Sequence, residues 1–169
     1  SEERAAAPAV TAVIVAYGAE DKLAACLHSL QQQSGEAPGQ VMVVDNNPPE
    51  RRLDLKRIAG WFPSRQSSPS GSSAPPSSET VAEAGVEILV APRNLGYGRA
   101  INLAAERIRE ELILVANPDL VLDADLLERL GAALNRRPRA AAAGPRILPA
   151  HEEWSRPRRM RPPGLAGDL

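Results

Sequence analysis

Short apolar runs alternate with amphipathic segments along most of the chain. Four of the runs have the length and branched aliphatic content of buried strands: Val10–Ala16, Val41–Val44, Val86–Ala91 and Leu112–Ala116. Between the first two runs, Leu23, Leu27 and Leu30 recur at helical spacing and form one apolar stripe. Strands that alternate with helices predict an α/β protein: a doubly wound, mostly parallel, Rossmann-like sheet with helices on both faces.

The remaining pattern predicts further elements of one domain. Helices are expected over residues 20–33, 50–59 and 99–109, with a last helix capped by Asp123 and ended by Pro138. The run Ala140–Ala143 predicts a short fifth strand. Residues 63–80 contain eight Ser, four Pro and one Gly, so they are expected to form a disordered insertion. Residues 1–169 are therefore interpreted as a single domain with a core over about 10–148.

Composition narrows the protein class. Aromatic residues make up 3% of the chain, so the core must be aliphatic, and the single cysteine, Cys26, excludes an internal disulfide. No apolar stretch approaches the roughly 18 residues that a membrane span needs. The start, Ser1-Glu2-Glu3-Arg4, does not have the pattern of a secretory signal. A cytoplasmic protein is the expectation.

Positive charge gathers near the end of the sequence, although the net charge is only −1. Eight arginines lie between positions 136 and 161, opposed there by Glu152 and Glu153, and residues 149–169 form a basic, Pro/Arg-rich tail. Such a segment suits phosphates or an anionic membrane surface, which would place the protein at the inner face of the membrane. A solvated basic tail is an equally good interpretation. Nucleic acid is not an expected partner, because zinc-ligand spacing and aromatic base-stacking motifs are missing.

Polar or glycine-rich corners follow the four predicted strands. They are Ala16-Tyr17-Gly18, Asp45-Asn46-Asn47, Arg93-Asn94-Leu95-Gly96-Tyr97-Gly98 and Asn117-Pro118-Asp119. Because parallel strands place their carboxyl ends at one edge, where open α/β sheets bind ligands, the corners are expected to line one crevice.

The residues in these corners suit a nucleoside diphosphate. Asp45 can accept hydrogen bonds from a base or ribose, and Tyr17 can pack on the base. Gly96 and Gly98 allow close backbone approach at the start of a helix, whose amino terminus favours phosphate. Asp119 can bind a divalent cation that carries the phosphates.

Other nucleotide-binding classes fit less well. The first strand is followed by Ala16-Tyr17-Gly18-Ala19-Glu20, not by the Gly-x-Gly-x-x-Gly of dinucleotide-binding domains, and the chain contains no P-loop sequence. His151-Glu152-Glu153 does not have the second histidine of a zinc motif. A receiver-like module would need acidic residues after the first strand, and a nucleotidyltransferase would need a basic, glycine-rich loop there.

Together, five segments resemble the inverting family 2 glycosyltransferases with the GT-A fold, particularly the rhamnosyltransferase-like branch. They are Val13–Gly18, Val43–Asn46, Arg93–Gly98 with Asn102, Leu114–Asp119 and Ala143–Ile147. The resemblance implies transfer of a hexosyl or rhamnosyl unit from a UDP- or dTDP-linked sugar, with inversion, to the hydroxyl of a glycan or lipid-linked acceptor, as in cell-wall or polysaccharide biosynthesis.

The resemblance also implies a set of site residues. Those expected to bind the nucleotide sugar are Ala16, Tyr17, Asp45, Asn46, Arg93, Asn94, Gly96, Tyr97, Asn102 and Asn117. Asp119 is expected to bind Mg²⁺ or Mn²⁺. Asn117 stands where the family's Asp-x-Asp motif has its first carboxylate, so Asp119 must do most of the metal binding.

One departure from the family limits the functional hypothesis. The acceptor-binding half, which normally follows the fifth strand and carries the catalytic base, has no counterpart in the sequence, and no base is assigned. The chain is therefore expected to bind donor but to transfer sugar slowly or not at all by itself. A non-catalytic nucleotide-binding or assembly module remains the alternative, and an unfinished sheet edge would favour association into oligomers.

Overall fold

The computed structural model describes residues 9–18, 20–34, 37–54, 57–58, 61, 80–83 and 86–149. Its centre is a sheet of five strands in the order β3-β4-β2-β1-β5. The strands are β1 (Val10–Ala16), β2 (Gln40–Asp45), β3 (Thr80–Glu83), β4 (Val86–Val90) and β5 (Leu112–Ala116). β4, β2, β1 and β5 are parallel, whereas β3 pairs antiparallel with β4 at one edge. The predicted α/β fold with a mostly parallel sheet is confirmed.

Among the described residues, three α-helices have defined bounds: α1 (Glu20–Gln31), α2 (Tyr97–Ala105) and α3 (Leu126–Asn135). Residues 57–58 are also helical. A 3₁₀ turn, Pro49–Arg51, follows β2. The connection through α1 moves from β1 to β2, whereas the connection through α2 crosses back from β4 to β5. Because both crossovers share one hand, the reversal puts the two helices on opposite faces, as the doubly wound prediction requires.

Successive side chains of β1 point to opposite faces of the sheet, so the core consists of two clusters, one on each face. Ile14 packs with Leu23, Leu27 and Leu30 of α1, and all four side chains are buried. Val13 packs on the other face, where the second cluster includes Ala100 and Ala104 of α2. A central parallel strand is apolar on both sides for this reason, since each of its faces meets a helix.

Two segments differ from the sequence prediction in their local structure. The helix expected over residues 50–59 is interrupted, because Arg52 has extended backbone angles (φ −57°, ψ 147°) after the 3₁₀ turn. The strand expected at Ala140–Ala143 is wrong: this run is exposed and belongs to no strand. Alanine has a low β propensity, and an exposed alanine run gains little from pairing.

The start of α3 also differs from the prediction. The residue preceding the helix is Asp125 rather than Asp123, and its side chain makes no capping bond. Asp123 contributes its backbone carbonyl instead, which accepts from Leu126 N and from Gln33 Nε2. β3 was missed because Thr80 lies at the end of the segment predicted to be disordered. The rest of that insertion, residues 63–79, lies outside the described residues, as do residues 150–169 of the predicted tail.

The β5 side of the sheet is more open than its centre. Ile113 and Val115 are 44% and 42% exposed, although Val13, the neighbour of Val115 on β1, is fully buried. In the part of the chain that the structure describes, no helix is long and apolar enough to cross a bilayer.

Candidate functional site

The polar corners lie where the topology predicts a binding crevice. β4, β2, β1 and β5 are neighbours in the sheet and run parallel, so the four corners that follow them share one edge. β1 is the strand at which the chain order reverses, with β2 on one side and β5 on the other, and ligands bind at such switch points. From β4 to β5 is three strand spacings, about 14 Å, which is comparable with the length of a nucleoside diphosphate.

The corner after β2 is organised by a buried carboxylate. Asp45 is fully buried, and its Oδ1 accepts from the backbone N and the Nδ2 of Asn47 at 3.0 and 2.8 Å. Its Oδ2 accepts from Leu53 N at 3.0 Å. Asp45, expected to contact the nucleoside, is thus placed at the site edge with its oxygens already engaged by the chain, where it holds the loop from Asn47 to Leu53.

Asn46 and Asn94 join the corners of β2 and β4. Asn46 Nδ2 donates to Asn94 Oδ1 at 3.1 Å, and Leu95 N donates to Asn46 Oδ1 at 2.8 Å. Gly96 N donates to the same Asn94 oxygen at 2.9 Å. The two asparagines therefore fix the backbone that leads into α2.

Asn47 and Arg52 are site-organising residues that the sequence prediction missed. Asn47 is buried, and its Oδ1 accepts from Gly18 N at 2.7 Å, which ties the β2 corner to the β1 corner. The Arg52 guanidinium donates to the carbonyl oxygens of Asp45 and Ala91 at 3.0 and 2.6 Å. For Asn47, the available sequence signal was an asparagine directly before a proline, a pair that is typical of turns. Nothing in the local pattern marked Arg52, because its partners are distant carbonyls.

The start of α2 provides a compact turn with little negative charge. Gly96 precedes the helix with φ +76° and ψ 168°, and the first turn carries no acidic residue. Tyr97 is 48% exposed, and burial of its other half raises the pKa of its phenol. Arg93 lies exposed just before the turn. Asn102 is also exposed, but its spacing from the buried Ala100 and Ala104 puts it on the outer face of α2.

The corner after β5 presents a carboxylate to solvent. Asn117 and Asp119 are both exposed, and the backbone carbonyl of Asn117 accepts from the buried Cys26 Sγ at 3.5 Å. Burial, together with the charge of Asp119, raises the pKa of the Cys26 thiol to about 11. The thiol is therefore neutral at physiological pH and acts as a weak donor.

Tyr17 and a cleft flank the β1 corner. Tyr17 follows Ala16, which is buried and accepts from Asn46 N through its carbonyl, and the tyrosine side chain is 58% exposed. A cleft of about 500 Å³ opens beside it. Its lining is strongly charged and includes Gly18, Glu20, Asp21, Asn47, Arg52 and Arg57. The lining includes Gly18 and Asn47 but none of Tyr17, Asp45, Gly96 and Asp119. The four corners therefore share an edge rather than one closed pocket.

The metal-binding capacity of the edge is limited to a few oxygen donors. In the described ranges no group of three or more His, Cys, Asp or Glu could hold an ion. Asp119 and the amide of Asn117 together fit a hard cation whose other ligands are phosphate and water, but not a cage made wholly of protein.

Sequence comparison shows to which family the chain belongs. The profile of the family described as "Glycosyl transferase family 2" matches residues 70–167, more than half of the chain. The chain belongs to glycosyl transferase family 2. The match includes the β4 corner and the Asn117–Asp119 corner, so two of the four polar corners lie within the family's own sequence pattern. No curated protein matches the chain.

Solved structures share the glycosyltransferase fold. A mannosyltransferase, PcManGT from Pyrobaculum calidifontis in complex with GDP-Man and Mn²⁺, superposes with a TM-score of 0.54 at 17% identity. The match covers 75% of this chain and 32% of that structure. TarS from S. aureus (residues 1–349) gives a TM-score of 0.54 at 16% identity, covering 76% of this chain and 32% of TarS. The likeness concerns the fold, and this chain spans about a third of either structure.

Proposed function

We propose that the chain is the donor-binding part of a metal-dependent, inverting glycosyltransferase that uses a nucleotide-diphosphate sugar. The observation that carries the proposal is the meeting of four polar strand ends at one edge, around a topological switch point, in a chain of family 2. Fold alone would not assign a function, but the residues at this edge suit the ligand of the family.

We assign the nucleoside and the diphosphate of the donor to different positions along the edge. We place the nucleoside beside Tyr17, whose half-exposed ring can stack on a base, with Asn46 and the loop held by Asp45 forming the adjacent wall. A metal on Asp119 must reach the diphosphate, so we place the diphosphate at the β1–β5 side of the edge, towards the amino terminus of α2, which packs on β1 and β2. Arg93 and Arg99 add positive charge near that terminus. The start of α1 is less suitable, because Glu20 and Asp21 occupy its first turn.

Asp119 is the residue we assign to the metal, with Asn117 beside it. A bound Mg²⁺ or Mn²⁺ would stabilise the charge that develops on the departing diphosphate. The mannosyltransferase with the same fold is described in complex with GDP-Man and Mn²⁺, which supports a divalent ion here. The single carboxylate, with Asn117 in the first motif position, also supports the rhamnosyltransferase-like branch and a hexosyl or rhamnosyl donor.

In the reaction that this site would serve, an acceptor hydroxyl oxygen bonds to the anomeric carbon as the bond from that carbon to the diphosphate breaks, and the hydroxyl proton passes to a general base. The residues of this chain bind and orient the donor and hold the phosphates in a fixed position. We assign no catalytic base.

Calorimetry with Mn²⁺ and a panel of UDP-, dTDP- and GDP-linked sugars tests the proposal. We expect one of these donors to bind in the presence of Mn²⁺ and to lose most of its affinity in Asp119→Ala. Asp123→Asn is the matched control, because Asp123 is an exposed carboxylate in the same segment whose backbone carbonyl, which the substitution keeps, accepts from Gln33 Nε2.

Two results of that experiment would count against the proposal. Binding that ignores both Mn²⁺ and Asp119→Ala would favour the non-catalytic nucleotide-binding module. Failure of every donor to bind would contradict the assignment of the edge as a donor site.

Contact with an anionic membrane, a glycan or lipid-linked acceptor, self-association and a cytoplasmic location stay predictions. The exposed side chains of Arg136, Arg137 and Arg139 after α3 support the first of them.

A further inference from the structure

The segment that carries Asp119 does not hold itself in place. Between the end of β5 at Ala116 and the start of α3 at Leu126, the chain forms turns but no helix or strand. Turn bonds supply part of its backbone partners, such as Leu120 N to the Asn117 carbonyl at 3.4 Å and Leu126 N to the Asp123 carbonyl at 3.1 Å. Its remaining buried backbone groups need partners from elsewhere.

Those partners come from one side of α1. Cys26, Ser29 and Gln33 are spaced at i, i+3 and i+7 and so lie along one face of the helix and its extension; we call these three residues the α1 seam. Cys26 Sγ donates to the carbonyl of Asn117, which lies two residues before Asp119. The other two seam residues bond the chain beyond it.

Ser29 and Gln33 hold the far side of Asp119. Leu122 N donates to Ser29 Oγ at 3.1 Å, while the Ser29 hydroxyl donates to the Cys26 carbonyl at 2.7 Å. Gln33 Nε2 donates to the Asp123 carbonyl at 2.9 Å, and Gln33 Oε1 accepts from Leu127 N at 3.0 Å. The amide of Gln33 thus binds both the end of the loop and the first turn of α3.

Because the seam residues are buried, losing their hydrogen bonds would be costly. Ser29 is 5% exposed and Gln33 is 7% exposed, so both polar side chains are buried beside α1, Ser29 within the helix and Gln33 two residues beyond its end. A polar side chain at such a position is costly unless its hydrogen bonds are made, and here they are made to the 117–127 segment. Ser34 extends the contact, since its N and Oγ donate to the carbonyl of Ala124 at 2.6 and 2.9 Å.

We propose that Ser29 and Gln33 are positioning residues for Asp119. By binding the chain on the far side of Asp119, while Cys26 binds it on the near side, the α1 seam fixes where the carboxylate stands on the sheet edge. Because α1 begins just after Tyr17-Gly18, the same helix connects the nucleoside side of the edge to the Asp119 side. The role of Asp119 rests on the proposed function, whereas the clamp itself rests on the contacts.

Hydrogen exchange tests the clamp without any ligand. In Gln33→Ala and in Ser29→Ala, we expect the amides of Leu122 and Leu127 to exchange roughly tenfold faster or more, with β1 and β2 unchanged. Gln32→Ala is the matched control: Gln32 is the adjacent glutamine, is exposed, and bonds only His28 through its side chain in the described structure. Equal exchange in Gln33→Ala and Gln32→Ala would overturn the clamp, as would faster exchange throughout the sheet.

A double-mutant cycle tests the positioning of Asp119. Mn²⁺-dependent binding of UDP, dTDP or GDP should weaken about tenfold in Gln33→Ala, and metal-free binding of the nucleotide should not change. In the Asp119→Asn background, Gln33→Ala should cause no further loss. A loss of the same size in both backgrounds would show that Gln33 supports only the fold, and would overturn the inference.

The two measurements separate the inference from the proposed function. If the unmodified protein bound none of the Mn²⁺–nucleotide complexes, the role of Asp119 would be overturned, whereas exchange at Leu122 and Leu127 would still decide the clamp. If Gln33→Ala did not fold, Ser29→Ala and Gln33→Asn would provide the same comparison.

Discussion

At the scale of single residues, the site depends on side chains that bind backbone rather than ligand. Asp45 ends β2 and Asn46 and Asn47 follow it, yet all three are buried and bond the loops around them. The sequence could predict that this corner is polar and lies at a strand end. It could not show that both oxygens of Asp45 already accept hydrogen bonds from Asn47 and Leu53, because that depends on how the following loop folds back.

Replacing Gly96 or Gly98 by alanine should have different effects on the free energy of unfolding. Gly96 has φ +76° and ψ 168°, a region that side chains avoid, whereas Gly98 has no such angle and an added Cβ would meet nothing within 4 Å. We expect Gly96→Ala to lower the free energy of unfolding by about 1–3 kcal/mol. Gly98→Ala should leave it unchanged or raise it by about 0.4–1 kcal/mol, because alanine restricts the unfolded chain.

Urea denaturation of both variants checks the pair. Equal destabilisation by the two substitutions would contradict the account, since it would mean that crowding rather than the backbone angle of Gly96 decides the cost.

At the scale of elements, four strands and three helices were predictable, whereas β3 and the connections were not. β1 and β5 have the predicted bounds, because apolar runs ended by Tyr17-Gly18 or Asn117-Pro118 are local signals. The seam between α1 and the 117–127 segment depends on side chains more than eighty positions from their partners. Its one sequence signal was a polar residue, Gln33, at an apolar position of the helical stripe.

The thiol on α1 gives the second prediction, which concerns alkaline stability. Since the pKa of Cys26 is raised from 9.0 to about 11 in the folded state, the protein keeps the proton longer than the unfolded chain does. The contribution of the protonated Cys26 thiol to the free energy of unfolding is complete below pH 9 and is lost as the pH rises from 9 towards 11. Between pH 8 and 10, the unmodified protein should lose about 1 kcal/mol more stability than Cys26→Ala.

Denaturant titrations of the two proteins at both pH values provide the measurement. Parallel loss of stability in the protein and the variant would contradict the assigned shift, because all other titrating groups are shared.

At the scale of the whole molecule, the sheet is well packed at its centre and open on the β5 side. Val13 and Val115 are neighbours on the same face, but Val13 is fully buried whereas Val115 is 42% exposed. The sequence predicted both runs as buried strands and could not separate them, since an edge strand and a central strand here have the same apolar composition. Strand order, which a single sequence does not encode locally, decides their exposure.

The third prediction follows from the difference in exposure between Val13 and Val115. Val13→Ala should lower the free energy of unfolding by roughly 2–3 kcal/mol, through lost burial and a residual cavity. Val115→Ala should cost less than about 1 kcal/mol, because much of its side chain is already in water. Similar costs, measured by chemical denaturation, would mean that the β5 face is covered in solution, as self-association would cover it.

The central claim is that the carboxyl ends of β4, β2, β1 and β5 form one nucleotide site. Nuclear magnetic resonance of the protein with Mn²⁺ and UDP, dTDP or GDP tests it most directly, because the paramagnetic ion broadens the signals of nearby amides. We predict that Gly18, Gly96 and Asp119 lose intensity together, and that Gln40, Glu87 and Arg107 at the opposite end of the sheet keep theirs. Broadening that centres on the opposite end, or that leaves any of the first three unaffected, would contradict the account.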